Sequence, residues 1–378
     1  MWGSFHDAWW RLATQSQPRS FSDALACSAL ATGAAAYRVA VALRNAAYDR
    51  GVAPQAKLSC PVVSVGNLTV GGTGKTTCVE AIARKLLARG RQPAILSRGY
   101  GGSLRAYWLR SKDGQLMLNG RAAERLTGVA DEPQLLAHHL DGVPIIVGKR
   151  RDRTGRLATT QFGADTVILD DGFQHRRLHR DCDIVLVHAR MPLGGWALLP
   201  RGPMREPLTA LARAHVIVIT KADEALGTLG ALEERLRSLN PDAALVTAMH
   251  EPVTLVDALT DAPVALKKLE GLRVGLLSSV GDPAGFESTL QRLHAIIAWH
   301  RAWPDHYRYQ PADWAALCRR GQGVRPEAVV TTEKDWLRLQ PVMDGGSLDV
   351  PLWVIGVRLR ILKGESLLDD RLARVHAG

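Results

Sequence analysis

The stretch Val63-Ser64-Val65-Gly66-Asn67-Leu68-Thr69-Val70-Gly71-Gly72-Thr73-Gly74-Lys75-Thr76-Thr77 reads as a buried strand, a glycine-rich turn and the opening of a helix. Glycines let successive backbone N–H groups point into one concavity, Lys75 is placed to reach the β- and γ-phosphates, and the Thr76 hydroxyl to ligate Mg2+. The expected ligand is a nucleoside triphosphate, cradled by Gly71, Gly72, Thr73, Gly74, Lys75, Thr76 and Thr77. The pattern departs from G-x-x-x-x-G-K-[ST] at its first position, where Thr69 stands. Its context supports the reading, because Cys78-Val79-Glu80-Ala81-Ile82-Ala83-Arg84-Lys85-Leu86-Leu87 follows with helical spacing.

Beyond this loop, short apolar runs recur with polar endings: Pro93-Ala94-Ile95-Leu96-Ser97, Val143-Pro144-Ile145-Ile146-Val147, Thr166-Val167-Ile168-Leu169, Asp183-Ile184-Val185-Leu186-Val187 and Val216-Ile217-Val218-Ile219. Continuous apolarity is the pattern of strands buried on both faces, and helix-like stretches such as Glu132 to Leu140 lie between them. The expected fold is α/β, a mostly parallel sheet of the P-loop NTPase type. Ligands of such sheets sit beyond the C-terminal strand ends. Those ends carry Ser97-Arg98-Gly99-Tyr100, Gly148-Lys149-Arg150-Arg151, Asp170-Asp171-Gly172-Phe173-Gln174-His175 and Thr220-Lys221-Ala222-Asp223. The proline-bearing stretch Pro252 to Lys268 then breaks the pattern, and strand-like sequence restarts at Arg273-Val274-Gly275-Leu276-Leu277. Two domains are expected, residues 1–250 with the loop and residues 251–378 as a smaller α/β unit.

The chain has 378 residues, 46% of them hydrophobic, with a net charge of +11 and a pI near 9.7. That excess points to an anionic partner, and charge alone does not choose among a phosphorylated substrate, a membrane surface and nucleic acid. Five scattered cysteines form no C-x-x-C pair, which argues against a zinc site or a disulfide framework and for a reducing compartment. Near the N-terminus, Trp2, Phe5, Trp9 and Trp10 precede an uncharged segment from Ala24 to Tyr37, then Arg38, Arg44 and Arg50. That segment is too short and Ala-rich for a transmembrane span. Two readings stand: an amphipathic helix in the membrane interface with Trp anchors, or a helix packed on the domain's own core.

The run Val167-Ile168-Leu169-Asp170-Asp171 has the form of a Walker B element, whose carboxylates hold Mg2+ opposite the loop's Thr76. Basic runs at Lys149 to Arg156, at His175 to Arg180, and at Arg201 and Arg205 begin near the ligand edge, where one or two members would bind substrate phosphate. A hydroxyl acceptor needs a proton acceptor, and histidine suits that task; chemistry alone does not select one from the twelve present.

Taken together, seven segments resemble one family, the tetraacyldisaccharide 4'-kinases. They are Gly66 to Thr76, Ser97-Arg98-Gly99-Tyr100-Gly101, Asp131-Glu132-Pro133, Asp170-Asp171-Gly172-Phe173-Gln174-His175, Gly202-Pro203-Met204-Arg205-Glu206, Pro304-Asp305-His306-Tyr307 and Thr332-Glu333-Lys334-Asp335, in the family's order across most of the chain. The resemblance implies ATP-dependent phosphorylation of the 4'-hydroxyl of a tetraacylated disaccharide 1-phosphate, a lipid A precursor. It also implies a peripheral enzyme on the cytoplasmic face of the inner membrane, with ATP and Mg2+ as cofactors and no nucleic-acid partner. By motif, it makes Asp131 and His306 a catalytic pair beside Lys75, with Thr76, Asp170 and Asp171 at the metal, and Arg151, His175, Arg205 and Glu206 toward the substrate.

Three other readings compete. Thr220-Lys221-Ala222-Asp223 is similar to a GTPase N-K-x-D but lacks the Asn, and Val70 stands where membrane-partitioning ATPases carry a signature lysine. Nucleic-acid binding rests on charge alone, and salt-dependent retention on DNA tests it.

Overall fold

The structure, a computed structural model, describes residues 9, 13, 20–123, 126, 128–190, 197–318, 325–343 and 348–377. Trp2, Phe5 and Trp10 of the expected anchor lie outside them. The chain packs as two compact units, one of Met1–His250 with Leu359–Gly378, the other of Glu251–Arg358.

In chain order the first unit holds α1 (Phe21–Asp49), β1 (Val62–Asn67), α2 (Lys75–Ala88), β2 (Pro93–Ser97), β3 (Tyr107–Lys112), β4 (Gln115–Leu118), β5 (Arg121–Ala122), α3 (Asp131–His139), β6 (Ile145–Val147), α4 (Arg151–Phe162), β7 (Thr166–Asp170), β8 (Cys182–His188), β9 (Val216–Thr220) and α5 (Leu226–Leu239). The chain leaves this unit within β10 (Ala244–Asp257). The second unit follows with β11 (Arg273–Ser278), α6 (Pro283–Arg292), β12 (Ile296–Ala302), α7 (Pro311–Cys318), β13 (Ala328–Thr332) and α8 (Glu333–Leu339). The return lies within β14 (Leu352–Lys363), and α9 (Glu365–Arg374) closes the chain.

The first unit's strands run β10-β9-β8-β1-β7-β2-β6-β3-β4-β5, parallel as far as β6 and antiparallel at the β3-β4-β5 edge. Every residue of β1, β2, β7, β8 and β9 is buried, as their unbroken apolar runs require. Alternate side chains feed different cores. Val63, Val65 and Ile168 pack with Val79, Ile82 and Leu86 of α2 and Leu136 of α3, whereas Val62, Val167 and Leu169 pack with Ala158 of α4.

The C-terminal segment Leu359–Gly378 belongs to this first unit, not to a domain running from 251 to 378. The cause is the apolar face of α9: Leu368 and Leu372 are buried in the core cluster that contains Val79 and Leu86. Lys85 adds ion pairs to Glu365 at 2.6 Å and Asp369 at 3.1 Å. In the second unit the strand order is β12-β11-β13-β14, all parallel, and Val274, Leu276 and Val330 pack with Phe286 and Leu290 of α6.

α1 departs most from its sequence reading. It runs for 29 residues, about 43 Å, because Arg38 and Arg44 interrupt hydropathy without interrupting helix formation. Ser20 caps it, accepting from the Asp23 amide at 3.1 Å. Over Ser22–Asp49 it passes for a membrane-crossing helix by length and composition, its most apolar 18-residue window having a mean hydropathy of 1.4 and being only 6% buried. The helix also packs on the domain's own core, through Tyr37. It is attached along one stripe, where Ala34 and Val41 are buried and the Tyr37 hydroxyl donates to the Arg205 carbonyl at 3.0 Å.

Candidate active site at the phosphate-binding loop

β1 delivers the chain to the loop at Asn67, which is fully buried and acts as a hub. Its side-chain Nδ2 donates to Thr73 Oγ1 at 2.8 Å, its side-chain oxygen accepts from Lys75 Nζ at 3.4 Å and from Arg205 Nη2, and its backbone carbonyl accepts from Gln174 Nε2 at 2.9 Å. Left-handed backbone falls on Gly71 (φ 108°) and Gly74 (φ 80°), where only glycine is unstrained. Thr69 is not among the left-handed residues, so a β-branched side chain stands at the motif's first position without cost. Its carbonyl accepts from Arg205 Nε at 3.1 Å.

Gly74 is also a point of close approach. A Cβ there would lie 2.4 Å from His250 Nε2, and that same ring nitrogen meets Thr77 Oγ1 at 3.0 Å. Thr220 Oγ1 donates to the Thr73 carbonyl at 3.1 Å. The residue that opens the supposed base-reading T-K-A-D segment therefore braces the phosphate loop.

The two carboxylates stand one strand away, with Val65 of β1 in register with Asp170 of β7. Asp171 adopts φ 53°, and Arg205 forks onto it with two bonds of 2.8 Å. Lys75 Nζ lies 3.7 Å from the same carboxylate. Burial pushes against ionisation of Asp171, but the Arg205 hydrogen bonds, with Lys75 and Arg151, hold its pKa down at about 2. Asp170 is the opposite case: burial first, then Asp171 and Glu132, push it up to about 6, while Ser97 Oγ donates to its Oδ2 at 3.0 Å. Two carboxylates at the end of β7 and the Thr76 hydroxyl at the start of α2 are hard oxygen donors, the chemistry that fits Mg2+.

The motif that carries Arg205 is laid beside the loop by backbone pairing. The Val70 amide donates to the Pro203 carbonyl at 2.9 Å and the Arg205 amide to the Leu68 carbonyl at 2.7 Å. Gly172 has no room for a side chain, since a Cβ would sit 2.5 Å from Leu169 Cβ and 2.7 Å from Ser64 Oγ. The Asp-Asp turn is thereby pressed onto β1, and the Gly172 amide bonds the Val65 carbonyl at 3.0 Å.

Other residues singled out in the sequence occupy distinct places. Arg151 is buried and braces the end of β7, donating to the Gly148 carbonyl at 2.8 Å and the Asp170 carbonyl at 3.2 Å. Burial and the nearby Arg98 draw its pKa down to about 10 against the pull of Asp170 and Asp171. His175 is held neutral, its pKa lowered to about 4 by burial and by Arg151 and Arg180. Glu206 has no exposure and faces α1, with Asn45 Nδ2 at 2.8 Å, Arg213 at 3.0 Å and Arg44 at 3.2 Å. From the basic run, Arg176 likewise grips α1, through Asp49 at 2.6 Å and the Asn45 carbonyl at 3.1 Å.

Asp131 opens α3 in the first unit. That helix is clasped to α2 by Glu80, which bonds His139 Nδ1 and Arg84 Nε, each at 2.8 Å. His306 lies in the second unit with φ 59°. Its amide donates to the Ser279 carbonyl at 3.3 Å, and its Nδ1 meets Arg338 Nη2 at 3.3 Å. Sequence reasoning missed the roles of Asn67, Ser97, Gln174, His250, Glu80 and Arg338. Asn67 alone had a usable signal, a polar residue ending a buried strand just before the glycine-rich turn.

A parallel sheet that feeds this loop, with a lysine opening the next helix and paired acids at a neighbouring strand end, defines a P-loop NTPase-type protein. The comparisons narrow the class. The family model "LpxK: Tetraacyldisaccharide-1-P 4'-kinase" matches residues 26–376. A tetraacyldisaccharide 4'-kinase of Anaeromyxobacter dehalogenans strain 2CP-C is 43% identical over 97% of this chain and 93% of its own length. Another, of Syntrophus aciditrophicus strain SB, is 41% identical over 86% and 87%. A crystal structure of LpxK from Aquifex aeolicus in complex with ATP aligns with a TM-score of 0.68 at 27% identity, covering 92% of this chain and 99% of that one. The chain belongs to the tetraacyldisaccharide 4'-kinase family.

Proposed function

We propose that this chain transfers the γ-phosphate of ATP to the 4'-hydroxyl of a tetraacyldisaccharide 1-phosphate, a step of lipid A biosynthesis, at the cytoplasmic face of the inner membrane. The observation that carries the reading is the cluster of Asn67, Lys75, Asp171 and Arg205 at the mouth of the phosphate loop. Lys75 and Arg205 are cations already gathered where a triphosphate would lie, and they turn from Asp171 to phosphate oxygens when the nucleotide arrives. The backbone N–H groups of Gly71 to Thr77 complete the cradle.

Thr76, Asp170 and Asp171 would hold Mg2+, which neutralises developing charge on the phosphates. Asp131 and His306 are proposed as the catalytic pair, His306 accepting the hydroxyl proton and Asp131 orienting its imidazole. In the transfer the acceptor O–H and the bond from γ-phosphorus to the bridging oxygen break, a new O–P bond forms, and ADP leaves. Arg205 is proposed to touch phosphate. Arg151 and His175 are proposed to shape the substrate region from behind, and Glu206 to act through α1. The positive charge serves anionic lipid and phosphate, not nucleic acid.

The test incubates the purified protein with Mg-ATP and tetraacyldisaccharide 1-phosphate in detergent and follows the lipid by mass spectrometry. Gain of one phosphate at the 4'-position is expected. An unchanged lipid mass defeats the proposal.

A further inference from the structure

At the end of the first unit's sheet opposite the phosphate loop, a cleft of about 700 Å3 opens between the segments that enter β1, β8 and β9 and the last turn of α9. Its volume falls within the roughly 300–1,000 Å3 of small-molecule sites. Pro61 lies in its wall, one residue before β1, and the strand carries the chain about 20 Å from there to Asn67 at the loop. The cleft is therefore separate from the site already described.

Four side chains of fixed positive charge line it, Lys57, Arg180, Arg371 and Arg374, against one carboxylate, Asp181. Arg180 is already spent on Asp183, with Nε 2.9 Å from Oδ1 and Nη2 3.0 Å from Oδ2. Asp181 is spent in part, since its Oδ2 accepts from the Val62 amide at 2.8 Å and its Oδ1 stands 3.6 Å from His179 Nδ1. Arg371 uses Nη2 on the Asp242 carbonyl at 2.9 Å, which leaves its charge uncancelled. Lys57 and Arg374 are exposed, and among the described residues neither side chain has a hydrogen-bond or ion-pair partner. Of the acids of α9, Glu365 and Asp369 pair with Lys85 instead.

His215 supplies a neutral donor beside these cations. Its Nδ1 accepts from the Asp183 amide at 3.0 Å, so the ring proton sits on Nε2. Burial holds the ring below the ordinary imidazole pKa, with Arg371 and Arg180 acting the same way against Asp183 and Asp181. Arg371 and Arg374, three residues apart in the last turn of α9, share a face and suit the helix dipole. That dipole does not account for Lys57, which follows the bridge between Ala56 and Leu178 from a distant part of the chain.

We propose that this cleft is a second anion site, which takes a phosphate monoester between Lys57, Arg371 and Arg374. A carboxylate brings one charge and two oxygens, too little for three cations. A phosphate ester brings about 1.5–2 charges and three acceptor oxygens. Guanidinium forks and the Lys57 ammonium meet those oxygens, and His215 Nε2–H adds an uncharged bond. Leu58, Pro61 and Val375 leave an apolar wall for the organic part of the ester.

The test titrates glycerol phosphate onto the full chain, its phosphate loop filled with Mg2+ and a non-hydrolysable ATP analogue, and follows the phosphorus NMR line width of the ester. Saturable broadening at one site per chain is expected. Lys57→Gln with Arg374→Gln, which removes two exposed side chains and no internal contact, should weaken binding at least about tenfold, the scale of one charge-assisted hydrogen bond lost. Lys267→Gln with Lys268→Gln, the same loss of charge at exposed lysines of the second unit, should leave it unaltered. Acetate at matched ionic strength should compete at least about tenfold less well than inorganic phosphate. The proposal is overturned by absence of saturation, by equal binding in the cleft variant, by an equal loss in the control pair, or by acetate competing as well as phosphate. Broadening seen only while the loop is empty places the ester there and overturns it too. Vesicles separate the two sources of a monoester. Displacement of the probe by phosphatidic acid but not by phosphatidylglycerol assigns the site to a lipid headgroup, and displacement by neither assigns it to a soluble ester. Equal displacement by both reduces the cleft to general charge attraction and counts against the proposal.

Discussion

Asp171 has two cationic partners of different geometry, a fork from Arg205 and a single point from Lys75. Arg205→Ala should lower kcat/KM for ATP about 10²- to 10³-fold, the usual range for one donor lost from a charge-stabilising site. Arg205→Lys should recover only part, because an ammonium cannot make the fork. Equal recovery by Lys in steady-state kinetics would show that charge alone matters there. Gly74→Ala tests the loop's backbone, since it meets both a left-handed φ and the His250 ring. A loss of about 1–3 kcal/mol in denaturant unfolding is expected, partly restored by adding His250→Ala, which removes the clash and leaves the φ strain. Lys75, Thr76, Asp170 and Asp171 were legible because each occupies a contiguous motif whose backbone geometry fixes its side chain. The bond from Arg205 to Asn67 was not, since these residues are far apart in sequence and meet only because residues 203–205 pair with the loop.

Among the elements, the join between α2 and α3 makes a pH prediction. Glu80 is buried, which raises its pKa, but His139 and then Arg84 outweigh burial and leave it below the ordinary value. A carboxylate so depressed adds stability at pH values above its unfolded pKa, and that stability is lost as pH falls through the folded value. Glu80→Ala should therefore cost roughly 2–4 kcal/mol near neutral pH, and wild type and variant should converge in acid. Thermal melts from pH 7 down to about pH 2 read this directly: the gap should hold above about pH 4.3, the ordinary Glu value, and close below it, and a gap that stays constant to the acid end contradicts it. The elements themselves were largely readable. β1, β7, β8 and β9 announce themselves as unbroken apolar runs, because a strand covered on both faces has no polar side to alternate. The placement of α9 was not readable: Leu368 and Leu372 show that a face is buried, not which core receives it.

The whole molecule depends on α1, which the sequence left between membrane and core. Along one stripe it is bound to the first unit by Tyr37, Asn45 and Asp49, while Leu25, Val39 and Leu43 stay exposed at 67%, 58% and 67%. Such apolar exposure on a helix of this length has no partner among the described residues, and we propose a bilayer as that partner. A truncation would confuse two effects, because it would also strip Arg44 and Asn45 from the buried Glu206. Substituting Leu25, Val39 and Leu43 by Asp separates them, because these side chains lie off the anchoring stripe. Co-sedimentation with anionic phospholipid vesicles should fall at least about tenfold, since each buried aliphatic side chain contributes on the order of 1.5–3 kcal/mol. The melting temperature should hardly move, and turnover of acceptor dispersed in detergent should stay within about twofold while turnover of acceptor embedded in vesicles collapses. If vesicle binding persists unchanged, α1 is not the membrane contact, and the +11 charge must act through another face.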